Sequence, residues 1–534
     1  MSISLRFCGA ARTVTGSCFW LRTPQANFLI DCGLFQGSKT LKQLNYGAFP
    51  FASDSIDFVL QTHAHIDHAG LLPKLCKRGF KGPTYMTRGT RDLLTFMLPD
   101  SGHIQETDVA NLNRRNARRK RQLVDPIYSQ KEAEACLQSF RTVEYGVWLE
   151  PAPGVRARYW NAGHILGSAS IELEIATGQP EQPLLRLLFS GDIGPDHKLF
   201  QPDPTAPETL DYVICEATYG ARQRPKVTPE ERCARLAGEV RQALANNGML
   251  LIPLFAVERT QELLVDLAHL QQTGAIPPVP MFLDSPLAIR ITRVFQQHSP
   301  ELQDLDIRPS LMTNPNLHLC ETVDQSKAID RLSRGAIILS ASGMCDAGRI
   351  RHHLKRWLWS EKATVLLVGY QAHGTLGRLL ADGATTVTIQ GEVIKVTAKV
   401  RQLDVYSGHA DRGELLNWIK RRHPIRRALF LVHGDDPEIK SLREGTIADG
   451  MSEAAVVTPT LDDEFDLVSN ARIISAKPTT PRIDAALIGQ SDWHNELAQF
   501  TFDLRDRLEQ AADERSRRIV MRRLRRALDD NDRL

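Results

Sequence analysis

Ile56-Asp57-Phe58-Val59-Leu60-Gln61-Thr62-His63-Ala64-His65-Ile66-Asp67-His68 runs from a short apolar segment directly into four ligand-type side chains. A short apolar run bounded by polar residues reads as a buried strand, so the spacing predicts a strand over 56–60 that opens into a loop. His63, His65, Asp67 and His68 fall within six residues of that loop. A loop can turn side chains at this spacing inward, toward more than one ion. Imidazole and carboxylate donors without thiolate suit Zn²⁺, and the same donor types admit Mn²⁺ or Fe²⁺.

Four ligands in one loop leave two metal shells incomplete, and other strand ends supply candidates. Phe28-Leu29-Ile30 ends at Asp31, and Val155 to Trp160 ends at Asn161-Ala162-Gly163-His164. Leu184 to Phe189 ends at Ser190-Gly191-Asp192, Tyr212-Val213-Ile214 ends at Cys215-Glu216, and Ala428 to Val432 ends at His433-Gly434. Sites in layered α/β proteins form where strand ends open into loops, so these ends are expected to converge on one cleft. Asp192 is a single carboxylate able to bridge two ions.

The chain has 534 residues, more than one core usually serves, so more than one domain is expected. Between about 220 and 385 the texture changes. Helical patterns over 230–246 and 258–272 alternate with strands over 249–253, 281–283, 336–339 and 364–368, which argues a second α/β unit with a parallel sheet. Ligand-bearing strands lie on both sides of it, so the economical topology is one catalytic domain interrupted by another. Lys plus Arg is 66 against 63 for Asp plus Glu, a net charge of +3. Bulk charge therefore does not drive polyanion binding, and a local basic patch is needed instead. The run Arg114, Arg115, Arg118, Arg119, Lys120 and Arg121 reads as a solvated helix face, or else as a phosphate contact.

The nine cysteines are scattered and form no CxxC, which fits a reducing compartment. No apolar signal segment opens the chain, and the longest apolar run, near 249–257, is too short to cross a bilayer. A cytoplasmic protein without a membrane partner is expected.

These residues in this order resemble the metallo-β-lactamase fold, and within it the β-CASP nuclease branch that includes the cleavage and polyadenylation endonuclease subunit and its bacterial relatives. The resemblance rests on Asp31, the His63 to His68 motif, His164 and Asp192, then on Glu216, on His409 in Ser407-Gly408-His409-Ala410-Asp411, and on His433. The last three look like motifs A, B and C of that family. The fold so implied is an α/β, αββα sandwich over 1–219 and 396–470. A β-CASP domain is inserted at 220–395, and a helical tail covers 471–534.

The resemblance implies two zinc ions, one held by His63, His65, His164 and Asp192, the other by Asp67, His68, Asp192 and His433. It implies hydrolysis of RNA phosphodiester bonds, internal cleavage first and exonuclease action as well where the channel permits. Two close ions clamp a phosphate and lower the pKa of water from about 15.7 to around 7. The catalytic set would be Asp31, Asp67, Asp192, Glu216 and His409, with Glu216 orienting His409 and Asp31 orienting a ligand histidine.

By the same resemblance the inserted domain faces nucleic acid, with Ser340, Ser342, Gly343, Arg259 and Ser285 as substrate contacts, ordinary helix capping by Ser and Asp being the other reading. The segment 340–344 is expected to end a strand and begin a helix, offering backbone N–H groups to an anion. His373 is read as accessory, and His352 and His353 as surface or structural. Histidine at motif C favours RNA. Single-stranded DNA cleavage and hydrolysis of a lactone or thioester are the competing activities. The amphipathic tail is expected to serve packing or a homodimer.

Overall fold

The computed structural model describes residues 3–469 except 38, 119, 300–301, 303–313, 333, 370 and 372–374; beyond 469 it describes 471–473, 482, 504, 507–508 and 513–529. His373 and most of the tail lie outside the described residues, while Glu514–Asp529 forms a helix.

Two mixed sheets face each other. The first has eight strands in the order Ala471–Ile473, Glu464–Asp466, Ser4–Phe7, Phe19–Arg22, Asn27–Ile30, Phe58–Leu60, Thr84–Thr87 and Phe140–Val143. The second has seven: Val456–Val457, Ile425–Val432, Leu210–Glu216, Gln182–Phe189, Ala169–Gln179, Val155–Asn161 and Trp148–Ala152. Successive side chains on a strand face opposite ways. Phe28 and Ile30, Phe58 and Leu60 therefore enter the core between the sheets, together with Phe189, Ile214 and Phe430. Leu29 and Val59 turn outward under Leu72, Leu75, Leu93 and Leu94, which belong to helices Leu72–Lys77 and Arg88–Arg118. On the far side, Leu415 and Trp418 of helix Arg412–Lys420 and Leu442 of helix Asp436–Ala448 cover Val213 and Leu429. Each sheet is apolar on both faces because each is covered on both, which gives the four-layer αββα arrangement.

The inserted sheet has six strands, Leu317–Leu319, Met281–Leu283, Ala336–Ala341, Met249–Leu254, Ala363–Leu367 and Lys399–Gln402, all parallel. Its edge strand Lys399–Gln402 lies beyond residue 395. That strand is mostly exposed and polar, so it carries no apolar run to betray it. The inserted unit is seated on the sandwich through one continuous apolar cluster, in which Phe200 meets Phe295 edge-on at 5.9 Å. His298 Nε2 is also 2.8 Å from Asp92 Oδ2 across the same boundary. Among the described residues, no helix is long and apolar enough to cross a membrane.

Candidate active site

Every candidate ligand sits at or just past the C-terminal end of a strand or in the loop that follows. His63 lies three residues past Leu60, and His68 lies in the short helix Ile66–Ala69. His164 is in the loop between Val155–Asn161 and Ala169–Gln179. Asp192 follows Gln182–Phe189, Glu216 closes Leu210–Glu216, and His433 follows Ile425–Val432. Because 189, 214 and 430 belong to adjacent parallel strands, their following loops emerge at one edge of the sandwich.

Two groups result. In the first, His65 Nδ1 lies 3.2 Å from His63 Nε2 and 3.1 Å from His164 Nε2. Asp192 Oδ2 lies 3.5 Å from His63 Nε2 and 3.6 Å from His164 Nε2. In the second, His68 Nε2 lies 3.0 Å from His433 Nε2, and Asp67 Oδ2 lies 3.6 Å from His433 Nε2. Asp192 Oδ1 lies 3.1 Å from His68 Nε2. One carboxylate thus presents one oxygen to each histidine group.

This geometry fits a pair of cations. Neighbouring imidazole nitrogens aim at common points, where at most one proton could be shared between any two. Asp192 Oδ1 is buried with His68 Nε2 3.1 Å away, and a buried carboxylate oxygen is costly unless a cation or a proton meets it. Burial holds His63 and His164 well below the ordinary histidine pKa and lowers His65 to about 4. Those rings are neutral, which is the form a metal requires. Burial would lift Asp192, but His433, His68 and His63 outweigh it and hold the carboxylate well below its usual range. Burial also opposes charge on His68, yet Asp192 and Asp31 draw a proton onto it. The second group therefore attracts positive charge.

The ligands are braced from behind. Asp31, at φ +59°, accepts from the backbone N–H of Thr62 at 2.8 Å and from Gln61 Nε2 at 2.9 Å, and its Oδ2 lies 2.7 Å from His68 Nδ1. A non-glycine residue in the left-handed region is uncommon, and here the side-chain bonds compensate for it. His164 Nδ1 donates to the Gly408 carbonyl at 2.6 Å, which points Nε2 into the cluster. His433 Nδ1 faces Thr218 Oγ1 at 3.2 Å. His409 Nδ1 lies 3.3 Å from Glu216 Oε1, and the His409 ring remains one-fifth exposed on the open side. Glu216 is itself held by the N–H groups of Ile193 and Thr218.

Sequence reasoning missed Gln61, Thr62, Thr218 and the Gly408 carbonyl. It also missed Lys198, whose Nζ bonds the His164 carbonyl and lies 3.3 Å from Glu258 of the inserted domain. These are backbone atoms or ordinary polar side chains, and only their distant partners make them part of the site.

The substrate contacts expected on the inserted domain need correction. Ser340 is fully buried and its Oγ donates to the Asp284 carbonyl at 2.8 Å. Ser285 is buried and caps helix Pro286–Gln297, accepting from Ala288 N–H at 3.2 Å. Gly343 is buried beneath Phe255. Neither serine nor this glycine is open to a substrate. No helix begins at 342–344 either; the next one, Ile350–Trp357, starts after a loop. Ser342 is half-buried and accepts from the Ala347 N–H, and Arg259 lies against Gly408.

Asp284 instead anchors the inserted domain, as does His353, expected at the surface or in a structural role and found buried against Asp284. His353 Nε2, Ser326 Oγ and Arg349 Nη1 each lie 2.7 Å from the Asp284 carboxylate. Burial would raise its pKa, but these bonds outweigh burial and lower it. A carboxyl depressed in the folded state contributes stability above its unfolded pKa and loses it as pH falls through the folded value. The contribution of Asp284 is therefore complete above about pH 3.9 and vanishes in acid. Asp284→Ala should destabilise the protein by about 3 kcal/mol, since breaking a buried pair strands its partners. Urea unfolding at neutral pH measures the loss, and the gap from wild type should narrow below that pH.

Three family matches lie along the chain. Residues 11–127 match the metallo-beta-lactamase superfamily, 260–380 the Beta-Casp domain, and 393–452 the Zn-dependent metallo-hydrolase RNA specificity domain. A protein of Thermus thermophilus named "Ribonuclease TTHA0252" is 34% identical over 439 residues, 81% of this chain and 94% of the relative. "Transcription termination factor FttA" of Methanosarcina mazei is 32% identical over 442 residues, 80% of this chain and 66% of the relative. Its Methanocaldococcus jannaschii namesake is 32% identical over 448 residues, 81% of this chain and 67% of the relative.

Proposed function

The chain belongs to the β-CASP branch of the metallo-β-lactamase superfamily, and from that membership we propose that it hydrolyses RNA phosphodiester bonds at a two-metal centre. The observation that supports this most is the Asp192 carboxylate, one oxygen toward His63 and His164 and the other toward His68. His63, His65, His164 and Asp192 would hold one ion, and Asp67, His68, His433 and Asp192 the other. The nitrogen and oxygen donor set favours zinc. Bound there, the two cations supply charge neutralisation at the phosphate and a nucleophile from water at neutral pH.

The chain's own residues do the rest. Asp31 fixes the ring of His68 and the Gly408 carbonyl fixes that of His164, so that both Nε2 atoms point inward. Glu216 occupies Nδ1 of His409, which leaves Nε2 to face the substrate. His409 then hydrogen-bonds the phosphate or hands a proton to the departing ribose oxygen. RNA is favoured over DNA because residues 393–452, which carry His409 and His433, match an RNA specificity domain.

Matched RNA and DNA oligonucleotides test the reading. RNA should be cut and DNA spared. Chelation should abolish cutting, added Zn²⁺ should restore it, and elemental analysis should return two ions per chain. Intact RNA under metal-loaded conditions would overturn the proposal.

A further inference from the structure

Phe255 follows the strand Met249–Leu254 at the C-terminal edge of the inserted sheet. Its neighbours Leu254 and Val257 are buried, yet Phe255 itself is 38% exposed. One side of its ring rests on main chain. A Cβ on Gly343 would come within 2.7 Å of two ring carbons, and a Cβ on Gly369 would lie 3.7 Å from one of the same two. Any side chain at Gly343 would push the ring away, so glycine there makes the seat. The ring is thus backed by main chain while the residue stays partly open to solvent.

Its position relative to the histidines follows from Arg259. Nη1 of that side chain packs on Gly369 beside Phe255, 3.2 Å from the Cβ point, and donates to the Val368 carbonyl. Nη2 lies 3.9 Å from the corresponding point on Gly408, whose main chain covers the His164 ring. One guanidinium therefore reaches from beside the exposed aromatic to the Gly408 main chain that covers the His164 ring. A cation beside the cluster and an aromatic face next to it match the two parts of a nucleotide, phosphate and base.

We propose that Phe255 is a stacking platform for a nucleobase adjoining the scissile phosphate of single-stranded RNA. This rests on the RNA-hydrolase reading and adds a subsite to it. Every base has a π-face, so the platform tolerates any sequence while requiring an unpaired base. Arg259, beside it, fits the neighbouring phosphate.

The test uses the full chain loaded with Zn²⁺ and one oligoribonucleotide, intact or carrying a single abasic ribose moved stepwise across the cleavage site. For wild type, one abasic position should raise KM about ten-fold. Phe255→Ala should raise KM for intact RNA by about the same factor with kcat nearly unchanged, and should no longer respond to the abasic ribose at that position. Phe255→Tyr, which keeps the π-face, should recover the wild-type profile. Metal content equal to wild type shows that each variant is folded. Should Phe255→Ala keep the wild-type abasic profile, the platform is wrong although RNA is still cut. Wild type that leaves intact RNA uncut would remove the RNA reading, and the platform with it.

Discussion

Asp192→Ala should lower RNA cleavage by at least about a thousand-fold and reduce bound metal below two ions per chain. Metal-assisted charge stabilisation is worth several kcal/mol, and each 1.36 kcal/mol of barrier is a factor of ten. Asp192 faces both histidine groups, Oδ2 toward His63 and His164 and Oδ1 toward His68. Alanine removes both oxygens at once, and the histidines would no longer have a charge of opposite sign between them. Asp192→Asn keeps the shape but halves the donor set and removes the charge. It should keep more metal than alanine and still lose most activity. Single-turnover cleavage of labelled RNA and elemental analysis of the same samples measure both effects. Full activity in Asp192→Ala would show that the metals, or the reaction, lie elsewhere.

His409→Ala should lower kcat by about 10²–10⁴-fold, the range expected for a lost proton donor, while metal content and KM change little. The ring stands beside the first histidine group, its centroid 4.5 Å from that of His164, yet its Nδ1 is directed at Glu216 Oε1. Its Nδ1 also lies 3.9 Å from Asp192 Oδ2. His409 belongs to none of the side-chain groups placed to share an ion, and its Nδ1 is engaged by Glu216, which suits a group that works on the substrate. A His409→Ala protein that lost a metal ion would move His409 into the ligand set and overturn its assignment. Arg224 Nη2 bonds the His409 carbonyl and Ser407 Oγ accepts its N–H, so the loop has anchors independent of the imidazole.

The inserted sheet shows how one feature can be legible and its neighbour hidden. Its strands over 249–254, 281–283, 336–341 and 363–367 stand out as apolar runs because all their faces are buried. The edge strand Lys399–Gln402 is invisible in the same terms. Ser340 and Ser285 looked like substrate contacts because serine at a strand end can equally bind a ligand, cap a helix or satisfy a buried carbonyl. Which of these it does depends on what lies opposite, here Asp284 O and Ala288 N–H.

By itself the amino-acid order determined the ligand loop of His63 to His68, the strands that lead into it and the polar residues that close each strand. Those signals are local: a spacing of a few residues, or an alternation along one strand. Tertiary packing alone decided that His433 comes to 3.0 Å from His68 across 365 positions, that each oxygen of Asp192 faces a different group, and that Phe255 is left exposed. Burial and contact are properties of neighbours brought together by the fold, and a linear pattern carries no measure of that distance.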